Sequence, residues 1–360
     1  MPSTRSPRRS KEAATVTDTT TTTAETPLLE VRDLQVEFRS KAGVAQAING
    51  MNFTLHAGET LAILGESGSG KSVTAQTIMG ILDMPPGHIA GGEILYRGED
   101  LLTMPESKRR KLRGMNISMI FQDALSSLNP VLPVGWQIAE MFRVHQGYKR
   151  KQARAKAVEL MQKVGIPAAE KRVWDFPHQF SGGMRQRIMI AMAIALDPDV
   201  LIADEPTTAL DVTVQAQVMR LLKELQAEYN MGLILITHDL GVVADVADKI
   251  AVMYAGRVME SADVFEIYAK TANPYTKGLL DSIPRIDGQG ERLKAIPGLP
   301  PALTNMPPGC PFSPRCEFAT DRCVQERPAL REIVPGHRSA CHYAEKIYAM
   351  SAEGTEEARA

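Results

Sequence analysis

TLAILGESGSGKSVTAQTIMGIL, residues 60–82, is the stretch whose reading decides the fold. It opens with an apolar run of strand length and ends in QTIMGIL, which has the texture of a helix. Between them GESGSGKS (65–72) fits G-x-x-x-x-G-K-[ST], the pattern of a loop that wraps phosphate groups. Gly65, Gly68 and Gly70 let backbone N–H groups turn inward around phosphate oxygens, and a helix starting behind them points its positive end at the same place. Lys71 adds a mobile cation for terminal phosphates, and Ser72 a hydroxyl for Mg2+. Ser67, Ser69 and Val73 complete the candidate nucleotide-binding set. The plain alternative is a Gly/Ser-rich turn. The bare pattern arises by accident on the order of once in a hundred chains of this length, and the flanking strand and helix lower that further.

Outward from this loop, short apolar runs alternate with helical stretches: ISMIF (117–121), VLIA (200–203) and LILIT (233–237) read as strands. Such alternation predicts an α/β fold with a largely parallel sheet covered by helices. In VTVQAQVMRLLKELQAEY (212–229), Val214, Val218, Leu221, Leu222 and Leu225 share one helix face, as in an ordinary packing helix. Strand signals fade between Gln122 and Phe180, which predicts a helical subdomain at about 123–182. Residues 1–27, rich in Ser, Thr, Pro and Arg, have little apolar surface to offset the entropy of ordering and read as a disordered tail. The expected body is 28–262, followed by a Pro- and Gly-rich, irregular extension at 263–348 and a tail at 349–360.

The strand VLIA runs into Asp204 and Glu205, which puts two acids at the carboxyl edge of the sheet, where ligands bind in such folds. Asp204 suits a Mg2+ shell and Glu205 a general base that polarises the attacking water. A solvated strand end is the alternative, and the phosphate loop weighs against it. Composition excludes several classes. With 41 basic and 42 acidic residues and a net charge of -1, no global pull toward nucleic acid is expected. No apolar run reaches the roughly 18 residues needed to cross a bilayer, and the first residues lack the apolar stretch of a secretory signal.

FSGGMRQR (180–187), just upstream of the acidic strand, resembles the signature of ATP-binding-cassette ATPases. The family pattern has Gln where this chain has Met184, a departure that leaves Ser181, Gly182 and Gly183 intact. The resemblance covers about 28–262 and implies that ATP is gripped from two sides. The phosphate loop of one cassette faces Ser181, Gly182 and Gly183 of another, so a monomer is a poor ATPase. It further implies that Gln122 touches the Mg2+ and water shell, that His238 senses the γ-phosphate, and that Asp211 reaches across the dimer. Asp211 also reads as a helix N-cap. Phe38, in VEF (36–38), is the candidate for stacking on adenine, although a Phe at that place is more often core.

Cys310, Cys316, Cys323 and Cys341 are the only cysteines and all lie in the extension. Four soft ligands suit Zn2+ or an iron–sulfur cluster, tight C-x-x-C pairs are absent, and four reduced thiols are the plain alternative. NPYTKGLLDSIPR (273–285), IPGLPPAL (296–303) and GCPFSPRC (309–316) are similar to the extension of cassette subunits of bacterial oligopeptide and dipeptide importers. That resemblance implies a [4Fe-4S] cluster on the four cysteines, with Zn2+ as the alternative. It also implies a position on the cytoplasmic face of the bacterial inner membrane. The partners it implies are a distinct second cassette, two transmembrane permease subunits and an extracytoplasmic peptide-binding protein. Cassettes acting on DNA ends or ribosomes carry a long coiled-coil insertion or two cassettes in one chain, and neither is present. An iron–sulfur redox protein would not need Glu205 and His238, and an exporter would commonly fuse membrane helices to the cassette.

Overall fold

The computed structural model describes residues 26–41, 43–282 and 295–357; residues 1–25, the bulk of the expected N-terminal tail, lie outside them. Among the described residues twelve strands form two sheets. β1 (Leu29–Ser40), β2 (Gly43–Leu55), β4 (Gly87–Tyr96) and β5 (Glu99–Asp100) make an antiparallel sheet in the order β2-β1-β4-β5. The larger sheet runs β11-β12-β10-β9-β3-β8-β7-β6. Its strands are β3 (Thr60–Leu64), β6 (Ile117–Ile120), β7 (Val200–Asp204), β8 (Gly232–Thr237), β9 (Lys249–Tyr254), β10 (Arg257–Asp263), β11 (Arg331–Val334) and β12 (His337–Ser339).

From β9 through β3, β8 and β7 to β6 every pairing is parallel. Every residue of β3, β6, β7 and β8 is buried, which is why these strands read as unbroken apolar runs. Alternate side chains serve two cores. Ala62, Leu64, Leu201, Ala203, Leu233 and Leu235 face the core shared with the helices, while Leu61, Ile63, Val200, Ile202, Ile234 and Ile236 pack toward the antiparallel sheet.

Between residues 123 and 182 the chain forms short helices joined by loops. Helices Val134–His145 and Arg150–Lys163 bury Ile138, Phe142, Ala153, Ala157 and Met161 against the helix Gly182–Ala193. The helix Val212–Tyr229 buries Val218, Met219, Leu221, Leu222 and Leu225, each contributing about 2 kcal/mol by removal from water. Among the described residues no helix is long and apolar enough to cross a membrane.

The extension has more regular structure than its Pro/Gly texture suggests. It sends the hairpin β11–β12 back to the main sheet, where Glu260 pairs with Ser339 and Ser261 with Arg338 in antiparallel register. This seam holds a buried hydrogen-bonded pair, Glu260 Oε1 with His337 Nε2 at 2.7 Å, both side chains essentially inaccessible. Thr271 Oγ1 donates to the same carboxylate at 2.9 Å, and Tyr348 meets the His337 ring edge-on at 5.5 Å. Tyr348 belongs to the helix Ala344–Glu357, so the tail expected from 349 is helical through 357.

Candidate active site

Topology assembles the site. In the order β3-β8-β7-β6 the strands are parallel, so the loop after β3, His238 after β8, the acids at the end of β7 and Gln122 after β6 emerge along one edge of the sheet. The loop backbone demands glycine at two places. Gly65 (φ 151°) and Gly70 (φ 103°) adopt positive φ, which side chains rarely tolerate, and a side chain there would also meet Met253 O at 2.1 Å or Ala47 O at 2.4 Å. Gly70 caps the helix Lys71–Met79, so the amino end of that helix opens onto the loop.

The side chains converge. Lys71 Nζ donates to Gly65 O at 2.7 Å and Glu66 O at 3.0 Å. Burial holds its ammonium below the usual lysine range, opposed by the charges of Glu205, Asp204 and Glu66. Ser72 Oγ donates to Asp204 Oδ1 at 3.1 Å. Burial raises the Asp204 pKa; the Ser72 bond and Lys71 lower it, and the Glu205 charge raises it further. Glu205 stands in the left-handed region (φ 47°), with its N–H donating to Ile236 O at 2.8 Å. Its Oε2 accepts from Gln122 Nε2 at 3.0 Å and from Thr208 Oγ1 at 2.9 Å, and its Oε1 lies 3.5 Å from His238 Nδ1.

A second group stands at the neighbouring starts of two helices. Ser181 caps the helix Gly182–Ala193 by accepting from Met184 N at 3.4 Å, and Asp211 caps Val212–Tyr229 by accepting from Val214 N at 3.0 Å. The two helices touch at Gly183, where a Cβ would lie 2.6 Å from Val214 Cγ1. Met184 packs its sulfur 3.3 Å from Arg172 Nη1, and that guanidinium also covers the Phe180 ring. Phe38 lies two residues before the end of β1, half-buried against the core of the antiparallel sheet.

Comparison with known proteins bears on the same residues. A family model for the ABC transporter matches residues 48–208, and one for the oligopeptide/dipeptide transporter C-terminal region matches 259–323. The oligopeptide transport ATP-binding protein OppD of Bacillus subtilis (strain 168) is 53% identical over 313 residues, 87% of this chain and 87% of that protein. OppD of Haemophilus influenzae is 51% identical over 315 residues, 88% of this chain and 97% of that protein. The chain belongs to the ABC transporter ATPases. Among solved structures, the dimeric post-hydrolysis state of the ATP-binding cassette MJ0796 bound to ADP and Pi aligns with a TM-score of 0.59 at 25% identity. That alignment covers 66% of this chain and 98% of that one. CbiO1 of Clostridium perfringens aligns at 0.58 and 30% identity, covering 68% and 92%.

As an ABC ATPase the chain carries an acid bonded to a glutamine and a threonine, with a histidine 3.5 Å away. Thr208 escaped the sequence reading, although its place three residues after Glu205 could have suggested it. The donor set suits the expected ligands. Hard oxygens of Ser72 and Asp204 fit Mg2+, and the glycine cradle with the buried, unpartnered hydroxyl of Ser69 fits phosphate oxygens. The four cysteines also come together, lining one small apolar pocket with Met259, Phe312, Phe318 and Tyr343. Burial pushes the Cys316 thiol up to about 11 and Cys341 to about 12, with the other sulfurs adding to the shift. Among the described residues no three His, Cys, Asp or Glu side chains converge as a single metal ion would require.

Proposed function

We propose that this chain is the ATP-hydrolysing subunit of an importer of oligopeptides or dipeptides, seated on the cytoplasmic face of a bacterial inner membrane. The observation that carries this reading is the union, in one chain, of Glu205, bonded by Gln122 and faced by His238, with an extension that matches the oligopeptide/dipeptide transporter C-terminal region. Its partners in this reading are a distinct second cassette, two transmembrane permease subunits and an extracytoplasmic peptide-binding protein.

The phosphates of ATP lie in the loop 65–72, against backbone N–H groups and Lys71, and Phe38 stacks on the adenine. Ser72 and Asp204, with Gln122 beside them, hold Mg2+, which neutralises charge on the phosphates. Glu205 accepts the proton of the attacking water. Its carboxylate is preset for that role because Gln122 and Thr208 fix one oxygen and leave the other toward His238. Ser181, Gly182 and Gly183 cover the γ-phosphate of the nucleotide held by the partner cassette, and Asp211 reaches across the same interface. ATP therefore binds the closed pair better than the open pair, and that difference drives the motion.

The four cysteines hold a [4Fe-4S] cluster of structural role. Their shared pocket and soft donors support it, and Zn2+ on the same thiols is the alternative. The test is uptake of a labelled peptide into vesicles carrying the whole transporter with ATP inside. ATP-dependent uptake that vanishes with Lys71→Ala is expected. Peptide uptake unaffected by that change refutes the reading.

A further inference from the structure

The extension reaches the phosphate loop. Between Cys310 and Cys316 the chain turns so that both thiols face their pocket while Arg315 leaves on the other side. Its side chain is only 6% exposed. Arg315 Nη1 donates to Glu66 Oε2 at 2.8 Å and Nη2 to Glu66 Oε1 at 3.1 Å, a two-pronged bond to the second residue of GESGSGKS. The guanidinium is fixed from behind by Pro297 O at 2.9 Å and from the side by Tyr254 Oη at 3.2 Å. Glu66 is held at two further points. Its N–H donates to Tyr275 Oη, from the extension, at 3.1 Å, and its carbonyl accepts from Lys71. Tyr254, Tyr275 and Phe312 pack as an aromatic trio beneath this junction, with ring centroids 4.6 to 5.4 Å apart.

We infer that Arg315 is a positioning residue of the ATP site, through which the extension sets the conformation and charge of the phosphate loop. The physical argument has two parts. A carboxylate inside an anion-binding loop repels phosphate oxygens unless it is neutralised, and a buried guanidinium in two-pronged contact neutralises it more completely than a mobile lysine would. The same contact fixes Glu66 between two backbone anchors, so the carbonyls that receive Lys71 keep their place. An ordinary structural salt bridge elsewhere in the extension would stabilise the fold but leave nucleotide affinity alone.

This inference rests on the reading of residues 65–72 as the ATP site, and the experiment separates the two. Binding of MgATP to the full-length chain is titrated for wild type, Lys71→Ala, Arg315→Met, Glu66→Gln and the double variant, with melting temperatures recorded without nucleotide. Loss of binding in Lys71→Ala establishes the site. Arg315→Met is then expected to weaken MgATP about tenfold, because Glu66 is left unpaired beside the phosphates. In the Arg315→Met background, adding Glu66→Gln removes the stranded charge and restores most of the affinity. Arg315→Lys, which keeps the charge, is expected to lose less than Arg315→Met and covers the case in which the Met variant does not fold. Unchanged affinity in a folded Arg315→Met or Arg315→Lys protein, or a double variant as weak as the product of the singles, overturns the inference. Lys71→Ala that binds normally overturns the site itself.

Discussion

Replacing Glu205 by Gln isolates the chemical step from binding. In the structure Gln122 Nε2 and Thr208 Oγ1 both donate to Oε2, while Oε1 faces His238. A glutamine placed there keeps its carbonyl oxygen under the two donors and turns its amide toward the imidazole, so the local geometry survives and only the base is lost. A positioned general base is worth 10² to 10⁴ in rate, so turnover should fall on the order of a thousandfold, about 4 kcal/mol of barrier. Affinity for MgATP should hold or tighten. The Glu205 charge raises the Asp204 pKa, so its removal lowers the cost of ionising Asp204 and lessens repulsion of the phosphates. The assembled cassettes should then accumulate as a closed, ATP-loaded pair, read by steady-state hydrolysis and by sizing with and without ATP. Turnover within tenfold of wild type, or MgATP affinity weakened tenfold, would refute the assignment of Glu205 as the base.

Two further outcomes follow from the extension. Under the proposed cluster assignment, Cys316→Ser should carry less iron than the wild-type chain when both are purified without air, and iron retained at full stoichiometry would sink the four-cysteine ligand set. His337→Ala should lower the melting temperature, since it takes a hydrogen-bond partner from the fully buried Glu260 carboxyl group, a loss of about 1 to 3 kcal/mol. Glu260 keeps Thr271 as a partner, which places the expectation at the lower end, and an unchanged melting curve would show that the seam between β10 and β12 carries little stability.

The parallel core was legible because its strands are covered on both faces, so β3, β6, β7 and β8 appear as uninterrupted apolar words. The residues that complete the active edge were legible for the same reason. Each follows such a word directly, and a strand's carboxyl end has a fixed place in a parallel sheet. The antiparallel sheet was harder to read. β1 and β2 alternate buried and exposed residues and slip register between Val31 and Leu34, so no clean period survives in the sequence. The helix through Glu357 was hidden by a Gly, a Ser and a Thr in its last turns, which local propensity counts against it. Arg315 and Glu66 are 249 residues apart, and nothing in the spacing around either names the other. Pairings of that kind belong to the folded chain.

That same distance argues against treating the extension as an addition to a finished cassette. β10 is paired with β9 on one side, and only β12 covers part of the other; without the hairpin, that side of β10 would present unpaired N–H and C=O groups, a template for association. Glu260, fully buried on that strand, would lose His337 at the same stroke. Glu66 would lose both Arg315 and the Tyr275 hydroxyl that holds its N–H. Each loss leaves a polar group that was satisfied only by the extension, and the last two strike a sheet strand and the phosphate loop separately. A chain cut at the end of β10 would therefore be a cassette with an open sheet edge and an unsupported nucleotide loop, so the extension is part of what makes this sequence fold into a working ATP site.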